Sequence, residues 1–142
     1  GGTLPTARGS AASAGTQNAT YLFGGGTWAG SPAPVVTSAT TGTSWATDVN
    51  LPIAVKNHGG SGTSNASLAF GGQNPTATDT TVEYNGTAWS ITNSLNRTGN
   101  ARFNLAGDGS QASALAAGGY GKVTCSETYT TTGIGCACIG GV

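Results

Sequence analysis

The sequence predicts an all-β protein assembled from three copies of one four-stranded antiparallel unit. Three observations carry that reading. A segment recurs at a constant spacing of 47 residues, running from Gly15 to Gly25, Gly62 to Gly72 and Gly109 to Gly119, and each copy closes on paired glycines. A fixed period of this size marks an array of one supersecondary unit. Gly, Thr, Ala and Ser together supply 82 of the 142 residues. Such a chain disfavours helix and favours short strands and turns. Finally, turn-forming residues fall at regular intervals between short apolar stretches.

The middle unit reads most clearly. Leu51-Pro52 opens it, and the first strand is expected from Val55 to Gly60. The second strand runs from Ala66 to Phe70 and stops at Gly71-Gly72. Gln73-Asn74-Pro75-Thr76 is a polar turn, because proline leaves the hydrogen-bond ladder. The third strand runs from Thr80 to Tyr84. Asn85-Gly86 is a strong hairpin signal, since both positions tolerate positive φ. The fourth strand runs from Ala88 to Ile91, and Leu95 opens the next unit. The resulting boundaries are residues 1–50, 51–94 and 95–142.

The outer units align with this one. Trp45 corresponds to Trp89, Ile134 takes that place in the third unit, and Val35-Val36 and Val123 mark the third strands. Small side chains bury little area each, so one unit cannot hold itself together and must stack on its neighbours. Leu22, Phe23, Leu68, Phe70, Leu115, Trp45 and Trp89 recur at repeat positions and are expected in the core between units. Tyr21, Trp28 and Tyr120 recur less regularly and are the candidate exposed contact residues.

The four-strand pattern is that of one blade of a β-propeller. Paired glycines after a small apolar strand, followed by Tyr84 and then Trp89, resemble a Kelch-type repeat. Leu-Ala-Phe-Gly-Gly, then Glu-Tyr-Asn-Gly-Thr-Ala-Trp, is similar to the Kelch-like arrays of marine bacteriophage virion proteins. The spacing from Tyr to Trp is shorter than in the standard Kelch repeat. The first unit lacks the Tyr, and the third lacks the Trp. The resemblance implies three Kelch-like propeller blades, a place in the virion or outside the cell, and a tail-fibre or tail-appendage role in which loops bind a host-surface glycan or protein. A secreted carbohydrate-binding propeller, or a fragment of a propeller hydrolase, are the competing readings.

Propellers use four to eight blades, so three are expected to be closed by further repeats or by copies of the same chain. Five basic residues balance five acidic ones, which offers no electrostatic attraction for nucleic acid or an anionic membrane. No apolar run approaches the roughly 20 residues that span a bilayer.

Catalytic chemistry is sparsely represented. His58 is the only histidine, which fits a structural role better than a triad or a copper-radical site. Arg8 and Arg102 occupy similar points of their repeats, while Arg97 completes the arginine set. Asp48, Asp79, Glu83, Asp108 and Glu127 form no recognisable carboxylate pair motif. No catalytic, cofactor-binding or metal-ligating residue is expected. Asn18, Asn65, Asn85 and Asn96 begin Asn-x-Ser/Thr triplets. Cys125, Cys136 and Cys138 form an odd set, which leaves at least one thiol unpaired or paired between chains and allows a cross-strand disulfide between Cys125 and Cys136 or Cys138 where the geometry permits.

Overall fold

The computed structural model describes residues 2–26, 37–95, 101–120, 125–131 and 133–137, the last group by backbone alone. These residues form twelve strands and no helix. The first sheet contains β1 (Ala12–Thr16), β2 (Ala19–Phe23), β3 (Thr37–Thr40) and β4 (Trp45–Asp48). The second contains β5 (Gly59–Thr63), β6 (Ala66–Phe70), β7 (Thr81–Tyr84) and β8 (Trp89–Thr92). The third contains β9 (Ala106–Ser110), β10 (Ser113–Ala117), β11 (Ser126–Thr130) and β12 (Gly133–Ala137). Each sheet is an antiparallel meander in chain order. The first strands lie side by side, β1 next to β5 and β5 next to β9. The sheets do not close on themselves. Val35, Val36, Asn96, Arg97 and Val123 lie outside the described residues, as does the side chain of Ile134.

The first strand of the middle unit falls later than expected, at Gly59–Thr63 rather than Val55 to Gly60. Its sequence is Gly-Gly-Ser-Gly-Thr, which has almost no intrinsic strand signal. Packing makes it a strand. A side chain on Gly60 would come 2.9 Å from Cζ of Phe23, and one on Gly107 would come 2.3 Å from Cζ of Phe70. The tip of each phenylalanine lies on the glycine of the following repeat, so the glycines are sites of close approach rather than breaks.

Alternation along the second strand of each repeat divides the core into two layers. Tyr21 and Phe23 meet Ala69, Val82, Tyr84 and Trp89 between the first two sheets. Leu68 and Phe70 meet Leu105, Ala114, Ala116 and Tyr129 between the second and third. Three expected core residues differ. Leu115 is 41% exposed, and Leu22 and Trp45 are only half-buried. Leu115 is equivalent to the fully buried Leu68, and Trp45 to Trp89. Each lies on an outer face that no neighbouring sheet covers among the described residues.

Backbone hydrogen bonds join the repeats. The Gly25 amide donates to the Val55 carbonyl at 2.9 Å, and the Gly72 amide to the Arg102 carbonyl at 2.7 Å. A side chain on Gly24 or Gly71 would sit 2.7 or 2.6 Å from these same carbonyl oxygens. The paired glycines are therefore connectors between sheets. A second ladder uses Ser10, Asn57 and Asn104, all left-handed with φ of 56°, 57° and 56°. The Asn57 amide donates to the Ser10 carbonyl at 2.9 Å, and the Asn104 amide to the Asn57 carbonyl at 2.7 Å.

One buried position is solved differently in each repeat. In the middle unit Val55 and Val82, 1% and 0% exposed, fill it within the apolar core. In the third unit the equivalent pair is Arg102 and Glu127, in contact at 2.5 Å and 1% and 2% exposed. In the first unit Arg8 donates to the Ser38 hydroxyl at 2.8 Å. Arg8 and Arg102 thus hold structural positions that a pair of valines also satisfies.

Candidate functional site: a cleft between the first two sheets

A cleft of about 380 Å³ opens between the first and second sheets at the hairpin-turn end of the strands. Its walls come from the β1–β2 turn at Asn18, the β5–β6 turn at Ser64-Asn65, Thr40 and Thr41 of the first sheet, and Asp48 at the end of β4. Tyr21 and Tyr84 form its floor, their rings stacked with centroids 4.7 Å apart and planes 13° from parallel. The local sequence explains the walls. Short turns bring Asn, Ser and Thr to the rim. Gly42 approaches closely enough that an added Cβ would meet the Asn18 carboxamide oxygen at 3.0 Å.

Substitutions between repeats, at the position of Ser64 first, distinguish this gap from the next one. At the same place between the second and third sheets, Gln111 reaches across, its amide nitrogen 2.6 Å from the Tyr84 carbonyl and 3.5 Å from that of Ser67. Its equivalent in the middle repeat is Ser64, which is too short to cross. The second gap is also bridged by Tyr129, whose hydroxyl lies 3.1 Å from Thr92 Oγ1 and 3.3 Å from Glu83 Oε2. At the first gap these positions are Tyr84, Asp48 and Ala39, so the carboxylate moves to the cleft wall.

The electrostatics are mild. Asp48 is the one ionisable carboxylate on the cleft wall among the described residues, and its Oδ1 accepts from the Val49 amide at 2.7 Å. Burial pushes the Tyr21 phenol above its ordinary value, with Tyr84 and the Asp48 charge adding to the rise. Tyr21 stays protonated and lies 3.3 Å from Thr37 Oγ1. The surface offers amide and hydroxyl groups, a combination suited to a neutral, hydroxyl-rich ligand.

The expected contact residues are placed differently. Tyr21 is 1% exposed and is a core residue rather than a free contact, because Tyr84 and Trp89 of the next sheet cover it. Trp28 lies outside the described residues. Tyr120 is 69% exposed and stacks on Phe103, centroids 4.7 Å apart. It stands in the third repeat at the paired-glycine end of the strands, opposite the cleft. Cys125 is disulfide-bonded, while Cys138 and the side chain of Cys136 lie outside the described residues.

His58 is buried just before β5, 6% exposed, with its ring 5.7 Å from that of Phe23. Neither ring nitrogen has a hydrogen-bond partner among the described residues. Burial lowers its pKa to about 4; the Phe23 backbone, close by but outside hydrogen-bond geometry, opposes the shift. Among the described residues no group of three His, Cys, Asp or Glu side chains is arranged to hold a metal ion. Sequence reasoning overlooked Ser64. Its departure from Gln17 and Gln111 is visible in the aligned repeats, but only the structure shows that this position spans the gap. Comparison with family models gives no match, and comparison with curated proteins gives none either.

Proposed function

We propose that this chain is a non-enzymatic structural and adhesive protein, a tail-fibre or tail-appendage component of a virion, that holds a host-surface glycan in the cleft between its first two sheets. The observation that carries the glycan reading is the pairing of Ser64 with an open gap and Gln111 with a bridged one. The cleft wall is rich in hydroxyl and amide groups, which match sugar hydroxyls. The repeat architecture supports rigid display. Three sheets are tied by backbone hydrogen bonds, their first strands adjacent, as in neighbouring blades of a propeller. The virion setting rests on the resemblance of Leu68–Trp89 to phage Kelch-like arrays.

The test is a glycan array followed by titration calorimetry on the protein and on Ser64→Gln. Glutamine at 64 has the reach that Gln111 uses, so it should bridge the first gap without disturbing the fold. Binding by the parent protein and its loss in Ser64→Gln is the expected result. Unchanged glycan binding in a folded Ser64→Gln protein would move the site elsewhere, first to the exposed Phe103–Tyr120 stack.

A further inference from the structure

The two internal joints between sheets follow one rule, and the outer faces carry the two halves of a third joint. In each internal joint a paired glycine of one repeat donates to a carbonyl of the next, Gly25 to Val55 and Gly72 to Arg102. The equivalent donor in the third repeat is Gly119 and the equivalent acceptor in the first is Arg8. The second ladder runs with the opposite polarity, each later repeat donating to the one before it. Asn57 donates to Ser10 and Asn104 to Asn57, which leaves the Ser10 amide at one end and the Asn104 carbonyl at the other, with no partner in the ladder among the described residues.

Side-chain volumes point to the same pairing. Phe23 rests on Gly60 and Phe70 on Gly107, with no room for a Cβ. In the third repeat the phenylalanine is replaced by Ala117, and in the first repeat the glycine is replaced by Ser13. A smaller residue on one face matches a larger one on the other. Both substitutions occur at the uncovered faces and at neither internal joint. Gly118 fits this arrangement. A Cβ there meets nothing within 4 Å, whereas Gly24 and Gly71 are blocked by the following repeat. The apolar parts agree, since Leu115 and Trp45 are the uncovered equivalents of Leu68 and Trp89.

We infer that the outer face of the third sheet docks on the outer face of the first sheet of a second copy of this chain, head to tail, and that two copies close a six-sheet ring. The contact repeats a geometry that the chain already forms twice, so each copy presents a preorganised surface. Such an interface is heterologous, and it gives a ring where the rotation per joint closes and a filament where it does not. Six sheets fall within the four to eight that close a propeller.

Sedimentation velocity of the 142-residue protein tests this, with Ala117→Phe and Ala117→Phe/Ser13→Gly. The parent should sediment at twice the 13.8 kDa chain mass across micromolar concentrations. Ala117→Phe places a phenylalanine against Ser13 and should weaken the dimer roughly tenfold or more. Its own fold is protected, because Phe70 occupies that position in the middle repeat, and unchanged tryptophan fluorescence would verify it. Adding Ser13→Gly recreates the Phe–Gly joint and should restore the dimer. A monomeric parent, an open-ended polymer, or a dimer indifferent to Ala117→Phe would each overturn the inference.

Discussion

Replacing the buried Arg102–Glu127 pair with two valines tests the repeat logic most directly. Both side chains are almost fully buried and in contact at 2.5 Å. Arg102 also donates to the carbonyls of Gly118 and Cys125, each at 3.1 Å. Arg102→Val alone removes the cation from a buried carboxylate, and Glu127→Val alone removes the anion from a buried guanidinium. Removing one partner of such a pair typically costs about 3–5 kcal/mol. The double variant copies Val55 and Val82, which fill the equivalent position one repeat earlier. It trades an ion pair for apolar burial, an exchange that is often neutral or stabilising. The two carbonyls lose charge-assisted bonds, which cost about 1.5–3 kcal/mol each, less where water reaches them. The double variant should therefore be less destabilised than the sum of the two single variants, with a coupling of about 3 kcal/mol in the cycle. Urea unfolding midpoints at constant slope measure all four proteins. A double variant destabilised by the sum of the singles would show that the position does not accept the apolar solution of the middle repeat, and would refute the equivalence.

Other outcomes follow from the same geometry. The neutral imidazole of His58 has a pKa near 4 when folded and near 6.5 when free. The unfolded chain therefore binds the extra proton first, and stability should fall by ~3 kcal/mol as pH drops from about 6.5 to about 4. His58→Leu, which copies Leu105 of the next repeat, should flatten that part of the curve; a parent and variant with the same pH dependence would exclude His58 as its source. Trp89→Ala should cost roughly 3–5 kcal/mol by chemical denaturation, because its ring packs against Tyr21, Phe23 and Tyr84. A loss under about 1 kcal/mol would mean that the ring contributes little to the joint. Ser64→Gln should abolish glycan binding in calorimetry while leaving the unfolding midpoint unchanged.

Sequence alone carried the architecture. A 47-residue period, paired glycines and the Asn85-Gly86 turn specify three four-stranded units, because turn chemistry and repeat spacing are local properties of the chain. The strands richest in apolar residues, β2 and β6, were legible for the same reason. Strand β5 was not, since four of its five residues are Gly or Ser and its form depends on Phe70 and Phe23 lying against it. Exposure at the two ends was also hidden. Leu115 and Leu68 are the same letter at the same repeat position, yet a neighbouring sheet covers only Leu68. Tyr21 read as a free aromatic because its partner, Tyr84, lies 63 positions away in the chain. The cleft required the tertiary structure most of all. Ser64 and Gln111 are unremarkable polar residues on similar turns, and only the distance between adjacent sheets makes one side chain long enough to bridge the gap and leaves the other short of it.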